Sequence, residues 1–120
     1  MKILLILLLT SSTWASQASP KILSLKSQAT TIDRLLADKV KNTLSPLMRK
    51  NGIDMWVVMA REYNEDPVIR TFLPATWHAA RRRTVLVMYD PGPELDIETL
   101  AVARYDVGAV FKKAWDKEKQ

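Results

Sequence analysis

Gly52-Ile53-Asp54-Met55-Trp56-Val57-Val58-Met59-Ala60-Arg61-Glu62-Tyr63-Asn64-Glu65-Asp66-Pro67 decides how the rest of the chain is read. Asn51-Gly52 is a helix stop, with Gly52 expected in the left-handed conformation that closes a helix. Residues 53–60 are too few for a helix of their own, rich in β-branched and aromatic side chains, and apolar at successive positions. Such a run predicts a strand buried on both faces, as in a parallel or mixed sheet covered by helices. It ends abruptly in a polar loop carrying Arg61 and three carboxylates, Glu62, Glu65 and Asp66. Open α/β sheets place ligands at strand ends of this kind.

Upstream, Thr30-Thr31-Ile32-Asp33 reads as a helix start, a threonine N-cap three residues before an acid that suits the positive end of the helix dipole. Ile32, Leu35, Leu36, Val40, Leu44, Leu47 and Met48 then recur at helical spacing as one apolar stripe. Arg34, Asp38, Lys39, Lys41, Arg49 and Lys50 fall mostly on the other faces. Pro46 interrupts the run, and Ser45 before it is a candidate N-cap with proline at the first helical position. The segment is either a kinked helix or two helices in line, and the unbroken phase of the stripe favours the kink.

Downstream, Val68-Ile69-Arg70-Thr71-Phe72-Leu73 fits a short helical turn or a strand equally well, and residues 74–80 are irregular or one helical turn. Thr84-Val85-Leu86-Val87-Met88-Tyr89 predicts a second buried strand, closed by the turn Asp90-Pro91-Gly92-Pro93. Residues 97–105 alternate in a way that favours a strand paired with 84–89 as a hairpin, with a short helix as the alternative. Asp106-Val107-Gly108 is a turn, and Lys112 to the end reads as a helix opening or a charged tail. The expected fold class is α/β, a mixed sheet flanked by helices. One sheet edge stays unprotected, so the expectation is an N-terminal fragment or a half-domain needing a partner.

The first eighteen residues read as a secretory signal peptide. Lys2 supplies a positive start, residues 3–9 are uninterruptedly apolar, and Ser16 and Ala18 are the small residues before a cut after Ala18, with Ala15 as the alternative. An uncleaved membrane-associated N-terminus is the competing reading, yet a stable anchor needs roughly 20 apolar residues and this run is far shorter. The expected layout is therefore a signal peptide over 1–18, a lead-in segment over 19–29 and the α/β domain over 30–120, with the product exported to the periplasm or secreted. The chain has no cysteine, which excludes disulfides and thiol chemistry. Its formal net charge is +5, but the basic residues are scattered apart from Arg81-Arg82-Arg83 and not interleaved with stacking aromatics, which argues against nucleic-acid binding.

Asp33-Arg34-Leu35-Leu36, the block from Gly52 to Pro67, Arg82-Arg83-Thr84-Val85-Leu86-Val87 and Ala103-Arg104-Tyr105-Asp106-Val107-Gly108 together resemble the N-terminal domain of the creatinase/aminopeptidase P family, in the order expected. The likeness is to exported bacterial Xaa-Pro peptidases and covers about residues 30–115. It implies a mixed α/β domain followed by a C-terminal "pita-bread" catalytic domain that holds two divalent metal ions through two aspartates, a histidine and two glutamates. No position in this chain matches that ligand set. The resemblance therefore implies no catalytic, cofactor-binding or metal-binding residue here. It implies a role in homo-oligomer contacts and in walling the active site.

The residues themselves lead to the same expectation. Glu62, Glu65 and Asp66 offer too few ligands for a two-metal site and no sign of a facing carboxylate pair, so a solvated loop with Arg61 or Arg70 pairing a carboxylate is expected. His78, the single histidine, has no serine, cysteine or acid at a triad spacing, and Trp77-His78 is at most a cleft lining in a larger enzyme. Arg81-Arg82-Arg83 is read as a solvated approach to a strand, with anion binding as the sharper alternative. Trp56 is expected in the core, and Trp115 against whatever lies beyond. The glycines sit at turns, and no phosphate-binding glycine loop or HExxH is present.

Overall fold

A computed structural model describes residues 22–119, so the signal peptide expected over 1–18 lies outside the described residues. The fold is α/β: a four-stranded mixed sheet with a helical layer on one face. Helix α1 (Leu25–Asp38) runs into a π-helical stretch, Lys39–Leu44, and then into α2 (Ser45–Lys50). Strand β1 (Met55–Arg61) follows, then a single-turn helix α3 (Pro67–Arg70), β2 (Arg83–Tyr89), β3 (Glu98–Ala101) and β4 (Lys112–Lys113).

The helix begins earlier than the threonine pair suggests. Ser24 is the N-cap, its hydroxyl accepting from the Ser27 amide. Thr30 lies inside α1 and its hydroxyl donates back to the Lys26 carbonyl at 3.1 Å. Asp33, expected to serve the helix start, instead accepts from the Ala75 amide at 2.8 Å and pins the loop after α3. At Pro46 the helix does not break. Proline has no N–H to offer the fourth residue back, and the wider i→i+5 winding just before it absorbs the missing donor. The helix then stops at Gly52, whose φ of +65° is the expected left-handed value.

Leu36, Val40, Leu44 and Met48, spaced four apart, form the buried ridge of this helical layer. They pack with Val58, Ala60, Ile69, Phe72, Leu86, Met88, Ala101, Val107 and Phe111 in one core. Burying each large apolar side chain contributes about 1.5–3 kcal/mol. Trp56, Phe72 and Phe111 make successive edge-to-face contacts, with centroids 5.9 and 6.2 Å apart. The hairpin carrying Val107 and Phe111 turns at Gly108, where φ is +63° and an added Cβ would lie 2.8 Å from Cβ of Pro74.

Strands β1, β2 and β3 form an antiparallel meander, and β4 joins β3 in parallel. The hairpin expected between 84–89 and 97–105 is therefore present, with β3 shorter than the alternating stretch. The open choice over 68–73 falls to a helical turn, since α3 spans Pro67–Arg70. The end of the chain corrects one expectation: β4 and a 3-10 turn at Lys117–Lys119 stand where a helix opening or charged tail was expected.

A larger correction concerns β1. The apolar run predicts burial on both faces, yet its side chains alternate between a buried and an exposed face. Val58 and Ala60 point into the core, while Met55, Val57 and Met59 are 54%, 48% and 63% exposed. Among the described residues no helix covers that second face.

Candidate functional site

Three features have the chemistry or shape to act: the loop after β1, the free edge of β1, and the arginine-rich end of the bare sheet face. The loop is spent on local structure. The Glu62 amide donates to the Arg82 carbonyl at 2.8 Å, and its carboxylate accepts from the Arg82 amide at 3.3 Å. Asp66 caps α3 by accepting from the Val68 amide. Glu62 and Asp66 thus brace local backbone rather than converge on a substrate. Neither Arg61 nor Arg70 pairs with an acid among the described residues, contrary to expectation. His78 is exposed, and no three His, Cys, Asp or Glu side chains gather to hold a metal ion among the described residues.

Sequence reading missed an ion pair that ties the layers together. Arg49 of α2 grips Asp90 with two hydrogen bonds, Nε–Oδ2 at 2.7 Å and Nη2–Oδ1 at 2.9 Å. Nη2 also donates to the carbonyls of Gly92 and Leu95. The Asp90 side chain is only 4% exposed. The Arg49 hydrogen bond holds its carboxyl below the usual carboxylate range, and the same bond raises the arginine. Asp106 is lowered too, first by the Lys113 amide and then by Lys112. The 41-residue separation of Arg49 and Asp90 leaves no local signal for the pair.

A cleft of about 630 Å³ lies beside this clamp, lined by Val40, Ser45, Arg49, Glu94 and Ile97 among others. Arg49 there is committed to Asp90, and the other charged lining residues are Lys41, Glu94 and Asp96.

Strand order β1-β2-β3-β4 leaves β1 at an end of the sheet. Along its outer side, alternate residues of this seven-residue strand present backbone groups with no strand partner, the usual template for another strand, while at its end the Arg61 carbonyl accepts from the Asn64 amide. Apolar surface flanks the edge on both sides. On the bare face stand Met55, Val57 and Met59. On the helical side, two shallow apolar depressions of about 400 and 230 Å³ share Leu44, Leu47 and Trp56. Lys39 borders the larger one, its ammonium bonded to the Thr71 carbonyl and 4.3 Å from the Phe72 ring centre. Burial there pushes the lysine below its ordinary pKa. Trp56 is half-buried, as core placement required only in part.

Comparisons of the chain with protein-family models, with curated proteins and with solved structures find no match. The fold and its exposed surfaces therefore carry the functional reading.

Proposed function

We propose that this chain is a non-catalytic docking domain, the N-terminal domain of an exported Xaa-Pro-type metallopeptidase. It contributes oligomer contacts and active-site walls, while a separate pita-bread domain carries the metal ions and the hydrolysis. The observation that supports this best is the free edge of β1 with exposed apolar side chains on either side of it. A solitary domain gains nothing from an edge of this kind, which invites aggregation unless something covers it. An added strand would complete the backbone pairing and place its alternate side chains on Met55, Val57 and Met59 and in the Trp56 groove. The resemblance of the segments around Gly52 to Pro67 to that family supports the choice of enzyme.

The test is to produce this chain alone and joined to whatever the gene encodes beyond Gln120, and to assay both on a Xaa-Pro peptide with Mn²⁺. Turnover is expected only from the joined form. Val57→Lys, which sets a charge on the bare face, is expected to dissociate the oligomer and lower that turnover. Hydrolysis by this chain alone overturns the proposal, as does a stop codon after Gln120 in a chain that is stable and monomeric. In the latter case the same edge supports a second reading, a stand-alone periplasmic module that binds a protein partner.

A further inference from the structure

Register across the sheet assembles something at one end of the bare face that the sequence scatters over fifty residues. Met59 stands opposite Val85, and Arg61 opposite Arg83. The Val102 amide bonds the Val85 carbonyl at 3.0 Å, which brings Val102 into the same row. Trp115 closes the row from the chain end, its amide donating to the Ala103 carbonyl. The result is a depression of about 720 Å³ with an apolar floor of Met59, Val85, Val102 and Trp115 and a rim of Arg61, Arg82 and Arg83. A second depression of about 470 Å³ shares Arg82, Arg83, Val102 and Trp115 with it and adds Arg81 and Arg104.

None of these guanidinium groups is in an ion pair among the described residues. Arg81 is partly occupied over the Trp77 ring at 4.9 Å. Glu62, the acid that touches this region, accepts from the Arg82 backbone amide rather than from a side chain. The rim also carries an unusual backbone. Arg82 has φ +46°, a left-handed conformation that non-glycine residues rarely adopt. The strain is locked from both sides by the two hydrogen bonds with Glu62. Arginine presents a planar fork that matches carboxylates.

We propose that this double cup binds an extended acidic segment of a partner protein, with carboxylates on Arg61, Arg82 and Arg83 and an apolar side chain on the floor beside Trp115. Charge complementarity selects the occupant. A second copy of this basic face would bring arginines against arginines. A lipid surface would meet a convex apolar ridge better than a concave, arginine-rimmed one. The cup shares Met59 and Arg61 with strand β1, but Arg82, Arg83 and Trp115 lie outside the edge surface, so Arg82→Gly tests the cup while Val57→Lys tests the edge.

The experiment uses the 120-residue chain and a labelled peptide, acetyl-Glu-Leu-Glu-Phe-Glu-amide, with its lysine counterpart as control. Fluorescence anisotropy reads binding, and amide and indole NMR shifts locate it. The acidic peptide is expected to bind saturably, to shift the Trp115 indole and the Val85 and Val102 amides, and to weaken as salt rises. Arg61→Gln and Arg82→Gly are each expected to weaken it by about fivefold or more. Arg82→Gly keeps the fold test clean, because glycine accepts the left-handed conformation freely. Equal binding of the lysine peptide, shifts confined to other residues, or unchanged affinity in Arg82→Gly overturns the proposal. Binding to vesicles rich in phosphatidylglycerol with no peptide binding overturns it in favour of a membrane surface.

Discussion

The two faces of one sheet behave as opposites. On the helical side, Leu86 and Met88 have no exposure at all, and Phe111 and Ile69 pack beside them. On the other side, the residues next to them in sequence, Val85, Val87 and Tyr89, stand half-buried or exposed together with Met55, Val57 and Met59. Composition does not separate the two faces, since both are apolar. What separates them is the helical layer, present on one and absent from the other among the described residues. An apolar face without its layer is a place for something else, whereas an apolar face with its layer is what holds the domain together.

Substitutions on the two faces sharpen that contrast. Phe111→Ala should cost about 3–5 kcal/mol, because the ring is fully buried and its loss leaves a cavity beside Phe72. Met59→Ala, on the bare face, should change stability by no more than about 0.5 kcal/mol. Urea unfolding followed by circular dichroism measures both, and equal losses would mean that the second face is covered in solution.

The clamp between the helical layer and the sheet is next in size. Asp90 has its pKa lowered in the folded protein, chiefly by Arg49. Its contribution is thus present in full above the unfolded carboxyl value, about 3.9, and is lost as pH falls through the lowered folded value. Asp106 acts in the same direction. Asp90→Asn should lower stability at neutral pH and flatten the decline below pH of about 4. Thermal melts from neutral pH downward give the comparison, and an acid limb as steep as that of the wild type would place the clamp's titration elsewhere.

A small effect is also expected at the arginine end of the bare face. Arg82→Gly relieves a left-handed conformation but adds freedom to the unfolded chain, so stability should stay within about 1 kcal/mol. A large loss would show that the Arg82 side chain, not only its backbone, is needed for folding.

How much of this was legible in the sequence varies with the range of the interaction. Gly52 marks the helix stop because only a local backbone conformation is at stake, and the 90–93 turn is legible for the same reason. The helix start was misread because Thr30 and Asp33 resemble a capping pair, and only tertiary contacts reveal that Asp33 serves the Ala75 amide. At the candidate sites, spacing showed that Glu62 and Asp66 lie in one loop but not what they touch. Their actual partners, backbone amides of Arg82 and Val68, could not be read from spacing.

Local chemistry therefore determined by itself the helical stripe, its glycine stop, the first three strands and the turns between them, and hence an α/β fold. Only the tertiary structure decided which apolar face is core. Periodicity records that a side chain is apolar, but the helices choose which side of the sheet they cover. Register decided the rest. Pairing β1 with β2 and drawing Val102 alongside set Arg61, Arg82 and Arg83 around one apolar floor. No local propensity specifies that meeting, because it exists only once three segments distant in sequence share a sheet.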